Sequence, residues 1–133
     1  MNSYNHYAYG AVADWIYRYA AGIDTLPADA GFHTIYLHPT FDARLRRLDL
    51  RYQSSYGEIR SSWSIKGTGV WWTVTVPPNT TAHLPLTASQ RDKFTLDGVA
   101  LSTSKKLRPL SSVDGSPSYE LPAGTYSFQV TTP

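Results

Sequence analysis

The 133-residue chain contains no cysteine. That excludes disulfide staples, thiol nucleophiles and cysteine-ligated zinc, while leaving the compartment open. Charge is sparse: Asp, Glu, Lys and Arg make up 17% of the residues, and the formal net charge is +2. So small an excess gives no argument for a nucleic-acid partner. No apolar run is long enough to span a bilayer, so no membrane partner is expected. No signal peptide follows Met1, and the signal of an exported protein is expected upstream. Internal repeats and low-complexity tracts are missing as well.

The chemistry-bearing patterns are equally thin. Gly67-Thr68-Gly69 lacks the further glycine and the helix of a phosphate-binding loop. There is no Gly-x-Ser-x-Gly elbow for a serine nucleophile. Glycoside hydrolysis needs two carboxyl groups flanking a bond, and the ten acidic residues offer no such pair. Asp97 and Asp114 sit in Asp-Gly turns, Asp24 and Asp29 in a linker, and Asp49 and Glu58 on polar strand faces. Turn chemistry and surface charge account for each. His33, His38 and His83 are placed at strand ends without ligand spacing. The expectation is no catalytic residue, no metal and no cofactor.

What the chain does have begins with a helix. Tyr7 to Ala21 reads as a helix, and Val12, Trp15, Ile16, Tyr19 and, just past its end, Ile23 follow the i, i+3, i+4, i+7 spacing of an apolar face. Tyr9, Ala13, Tyr17 and Ala21 form a second line. Asp14 and Arg18 alone break the band, as i, i+4 partners of opposite sign. A helix apolar around most of its girth is buried on several sides. The rest of the chain reads as strands and turns, with no second helix to bury it. The helix is therefore expected to belong to a larger body, with this chain a piece of a longer protein. Left on its own, the chain is expected to self-associate through that helix.

Gly22 is placed as the helix C-terminal cap, and residues 24–31 as a linker. Residues 32–133 read as an antiparallel β-sandwich, so the fold class is mainly β with one N-terminal helix. At this length a chain buries roughly two-thirds of its unfolded surface, enough for one core. Phe32 to Leu37 is the first candidate strand, followed by one carrying Leu48, Leu50 and Tyr52. Ile59, Ser61, Trp63 and Ile65 alternate with polar residues, and so do Val70, Trp72, Val74 and Val76. Between these runs lies the turn Lys66-Gly67-Thr68-Gly69. Pro77-Pro78-Asn79 leads into Thr80 to Leu86; Asn79-Thr80-Thr81 satisfies the glycosylation sequon but serves equally as a turn. Phe94 to Leu101 reads as two short strands about Asp97-Gly98. Ser118 to Leu121 and the Tyr126, Phe128, Val130 alternation close the domain.

Four features remain. Arg44, Arg46, Arg47 and Arg51, interrupted by Asp42 and Asp49, read as a solvated strand face or a guarded sheet edge. Lys105, Lys106 and Arg108 read the same way. Trp71 points away from its strand's apolar face, either to cover the sheet against a neighbouring domain or to offer a sugar-stacking platform. His6 stands in a polar loop entering the helix, among Tyr4, Tyr7 and Tyr9. Packing beside a capping Ser3 or Asn5 explains it as well as a binding role does.

In order along the chain, these pieces resemble the bacterial α-L-rhamnosidases. Asn5-His6-Tyr7-Ala8-Tyr9-Gly10, Trp15 and Ala21-Gly22-Ile23 are similar to the last helix of their catalytic barrel. Ser55-Tyr56-Gly57-Glu58-Ile59-Arg60-Ser61-Ser62-Trp63 is similar to their Ser-x-Tyr-Gly-x-Ile-x-Ser-x-Trp hairpin. Val74-Thr75-Val76-Pro77-Pro78-Asn79-Thr80-Thr81-Ala82 is similar to their Val-Pro-Pro-Asn-Thr-Thr-Ala turn. Asp97-Gly98 and Gly124-Thr125-Tyr126-Ser127-Phe128 match the closing strands. The family's glycine-rich stretch after the residue matching Pro39 is replaced here by Thr40-Phe41-Asp42-Ala43-Arg44-Leu45.

The resemblance implies a parent with an (α/α)6 barrel and a C-terminal sandwich. Residues 1–23 would be the barrel's terminal helix, making the upstream barrel the partner of the sandwich. It implies hydrolysis of terminal α-L-rhamnose from glycosides or polysaccharides with inversion, on carboxylates upstream of this chain. His6 matches a residue lining the rhamnose pocket. A secreted or periplasmic parent is favoured. The competing readings are an autonomous carbohydrate-binding module using Trp71 and a purely structural sandwich; neither has a use for so apolar a helix.

Overall fold

The computed structural model describes residues 21–24, 34–110 and 118–131. The helix expected over Tyr7 to Ala21 (Ala21 itself excepted), most of the linker, and Phe32 and His33 lie outside the described residues. The strands are β1 (Ile23–Asp24), β2 (Thr34–Leu37), β3 (Arg47–Ser54), β4 (Gly57–Lys66), β5 (Gly69–Val76) and β6 (Thr81–Pro85). They continue as β7 (Phe94–Leu96), β8 (Val99–Ala100), β9 (Arg108–Leu110), β10 (Ser118–Leu121) and β11 (Gly124–Thr131). Two sheets result, one ordered β1-β2-β6-β10-β9 and the other β3-β4-β5-β11-β7-β8. This is the expected β-sandwich, with both sheets feeding one buried cluster.

The second sheet follows from the alternation in the sequence. In β5 Val70, Trp72, Val74 and Val76 are buried while Trp71 is exposed. Register sets Leu48, Trp63, Trp72, Phe128 and Leu96 side by side across β3, β4, β5, β11 and β7. Trp72 stacks on Phe128 with centroids 5.0 Å apart. Phe41 meets Trp63 and Trp72 edge-on at 5.7 and 5.9 Å. Phe41, between β2 and β3, thus caps the aromatic row. Such cross-strand aromatic pairs stabilise a sheet beyond their buried area.

The turns behave as their residues dictate. Gly67 takes φ 62 at the first central position of the β4–β5 hairpin, the pattern of a type II′ turn. Asp97 (φ 50) and Gly98 (φ 84) are both left-handed between β7 and β8, as a type I′ turn requires. Asn79 also takes a positive φ, 59, after the two prolines.

Four details differ from the sequence expectation. Strand pairing begins at Ile23 and Asp24, which pair with Leu37 and Tyr36. The β2–β6 pair is parallel; the β3–β5 meander carries the chain into the other sheet and back, and such a return brings strands in side by side. Ala88–Arg91 is a helical turn, capped by Thr87 and Gln90 in a reciprocal capping box. The fourth is β9, which lay unrecognised. Among the described residues it forms an edge, as does β3, which places Arg108 on one sheet edge and Arg47 and Arg51 on the other.

Candidate functional site

The described residues hold three places where chemistry could reside: the entry of the N-terminal segment, a cleft beside it, and the outer face around Trp71. The entry is fixed by buried polar contacts. Ser61 stands on the apolar face of β4 and is fully buried. Its hydroxyl donates to the Ala21 carbonyl at 2.9 Å and accepts from Trp72 Nε1 at 2.9 Å. Each partner would otherwise be an unpaired polar group in the core, which is costly. The Gly22 carbonyl accepts from the His38 N–H at 2.8 Å. Gly22 has φ 69, and a Cβ on it would fall 2.2 Å from the Pro39 nitrogen. Glycine alone fits this conformation and this approach. Residues 21 and 22 are therefore held at a defined position on the sandwich.

Beside that entry, a cleft of about 370 Å³ opens between the sheet ends, with Leu37, Phe41, Leu84 and Phe94 in its wall. His38, Gln90, Lys93 and Thr131 supply its polar side chains, and among the described residues no carboxylate lines it. It lacks the acid–base pair of a glycosidase.

The described carboxylates are spread over the surface, and all but Glu58 stand against a cation. Asp42 pairs with Arg44 at 2.6 Å, Asp49 with Arg60 at 3.1 Å, and Asp92 with Arg91 at 3.5 Å. Asp97 pairs with Lys106, and Glu120 with Arg108 at 3.9 Å. Hydrogen bonds from the Arg44 side chain and backbone hold the Asp42 carboxyl down at about 2. A catalytic acid needs the opposite shift. Asp14, Asp29 and Asp114 lie outside the described residues, as does the Asp24 side chain. Among the described residues no cluster of His, Asp or Glu could hold a metal.

His83 sits at the centre of β6 rather than at a strand end, because β6 runs on both sides of it. It meets Tyr36 edge-on at 5.3 Å on the outer face of the first sheet. His38 follows β2 and is exposed. Trp71 does face outward, with 44% of its surface exposed. His6 and His33 lie outside the described residues. Sequence reasoning passed over Ser61; the signal was a lone hydroxyl among Ile59, Trp63 and Ile65.

Comparison with known proteins accords with this geometry. The family model of the bacterial alpha-L-rhamnosidase C-terminal domain matches residues 22–100. An alpha-L-rhamnosidase of Formosa agariphila is 35% identical over 129 residues, which are 97% of this chain and 14% of that protein. Another from Streptomyces avermitilis is 36% identical over 93 residues, 70% of this chain and 9% of that protein. The crystal structure of Streptomyces avermitilis alpha-L-rhamnosidase complexed with L-rhamnose superposes with a TM-score of 0.71 at 30% identity, covering 98% of this chain and 12% of that one. The alpha-L-rhamnosidase from Dictyoglumus thermophilum has the same fold, with a TM-score of 0.71 at 22% identity over 99% of this chain and 15% of that one. The chain thus spans only 9% to 15% of the length of these relatives. It belongs to the bacterial alpha-L-rhamnosidase C-terminal domain family.

Proposed function

We propose that the chain is the supporting sandwich of a glycoside hydrolase that releases terminal α-L-rhamnose with inversion. The observation that carries this reading is the rigid entry at Ala21 and Gly22. A sandwich that only had to trail behind a barrel would need no buried hydrogen bond to the segment joining them. Here Ser61 and the His38 amide hold that segment in place, so the element before it is braced against the sandwich core. Residues 1–23 act as the closing helix of the barrel, and His6 hydrogen-bonds a hydroxyl of the bound rhamnose. An inverting enzyme needs an acid and a base about 6.5–9.5 Å apart. The chain of which this is a part supplies both from outside these residues.

The test has two arms. The 133-residue chain should release no nitrophenol from nitrophenyl α-L-rhamnoside. His6→Ala in the full-length enzyme should lower kcat/KM about 5- to 150-fold, the scale of about 1–3 kcal/mol for an unpaired buried polar group. Turnover by the chain alone, lost on mutating one of its own acids, would refute the division of labour. A kcat/KM within about twofold of wild type would return His6 to a packing role.

A further inference from the structure

Across β3, β4, β5 and β11 the outer face of the six-stranded sheet is polar apart from Trp71. One row across β3, β4, β5 and β11 reads Arg47, Ser64, Trp71, Gln129. The next reads Asp49, Ser62, Thr73, Ser127. Their small hydroxyl side chains leave the indole standing above the sheet. Its position is set by its own strand: a Cβ on Gly69 would come within 3.2 Å of the ring. The Lys66 ammonium lies 5.8 Å from the ring centroid, at the outer limit of a cation–π contact, so displacing it costs little. A shallow depression of about 650 Å³ runs beside the ring, with Arg47, Asp49, Ser62, Ser64 and Thr73 in its lining.

A protein partner recognises a contiguous apolar patch with a polar rim. Here the apolar surface ends at the indole. A pyranose fits better: its C–H face stacks on an aromatic ring while its hydroxyls exchange hydrogen bonds with Ser, Thr, Arg and Asp around it. Charge narrows the class. Arg47, Arg51, Arg60 and Lys66 face outward against Asp49 and, at the far end of β4, Glu58. Asp49 is already engaged by Arg60 at 3.1 Å and approached by Arg51 at 3.9 Å. Among the described residues Arg47 has no carboxylate partner, and a guanidinium grips a carboxylate through two parallel hydrogen bonds.

We propose that this face binds an acidic polysaccharide, with one sugar ring stacked on Trp71 and a uronate carboxylate held by Arg47. This site is separate from the supporting role and needs no catalysis. Affinity electrophoresis of the chain tests it, in gels containing polygalacturonate, fully methyl-esterified polygalacturonate, or dextran. The expected result is retardation by polygalacturonate alone. Trp71→Ala and Arg47→Gln should each raise the dissociation constant about tenfold or more with melting temperature unchanged, the scale of one lost stack or ion pair. Equal retardation by the ester or by dextran would overturn the acidic class. Retardation untouched by Trp71→Ala would mark simple charge attraction and overturn the site. No retardation, with Trp71 shielded from acrylamide quenching in the full-length rhamnosidase, would give the face to a protein contact instead.

Discussion

Ser61 carries more of the architecture than its size suggests. Its single hydroxyl serves a backbone carbonyl of the entering segment and the indole of the core tryptophan. Ser61→Ala leaves both groups buried and unpaired, for a loss of about 2–4 kcal/mol in unfolding free energy. Denaturant titration reads this directly; a loss under about 0.5 kcal/mol would mean that the hydroxyl is idle. Asp42 gives the residue-scale pH prediction. Its carboxyl is held from the ordinary 3.8 down to about 2, first by the Arg44 side-chain hydrogen bond and then by the backbone one. A depressed carboxyl pKa stabilises the fold above the unfolded value and loses that contribution as pH falls through the folded one. The loss here lies between about pH 4 and pH 2. The Asp42 carboxyl carbon should titrate near 2 by NMR and return toward 3.8 in Arg44→Ala. An unmoved midpoint would break the assignment. Tyr126 shows a third device: its hydroxyl donates to the Pro122 carbonyl at 2.6 Å, tying the start of β11 to the preceding corner much as a tyrosine corner does.

Elements differed in how well the sequence announced them. Hairpin β4–β5 was plain because period-two alternation runs through Ile59 to Val76 and is broken only at Gly67-Thr68. The Asp97-Gly98 turn was plain because few residue pairs accept two left-handed conformations. β9 was not: Arg108-Pro109-Leu110 is too short to alternate, and its strand character comes from pairing with β10. The parallel β2–β6 pair depends on where a distant meander returns, which no local pattern records. The capping box Thr87-x-x-Gln90 was legible but short of an apolar run to follow it. Of the candidate site, the outward Trp71 was legible from alternation, while the bond from Ser61 to Ala21 joins residues 40 apart in sequence and could not be read locally. The helix expected over Tyr7 to Ala21 yields its own prediction. Such a helix without a barrel would leave Trp15, Ile16 and Tyr19 or Tyr9 and Tyr17 in need of other cover, since each exposed large side chain forgoes about 1.5–3 kcal/mol. We expect the isolated chain to self-associate, with scattering mass rising over a concentration series; a strictly monomeric species with a fully solvated Trp15 would refute this.

At the scale of the whole molecule, one core joins both sheets and reaches the entry point through Ala21, Ile23 and Leu37. The sandwich is in this account a brace, and Gly22 is where the brace is attached. Gly22→Ala adds a Cβ into the His38–Pro39 backbone at a position that already needs a positive φ, which forces the entering segment out of place. The strands from β2 onward carry their own alternating core and remain folded. Heat inactivation of rhamnoside hydrolysis in full-length Gly22→Ala, measured beside wild type, tests the brace most directly. The account predicts a lower inactivation temperature and a reduced kcat/KM, with the strand content seen by circular dichroism retained. An inactivation temperature and kcat/KM equal to wild type would contradict it.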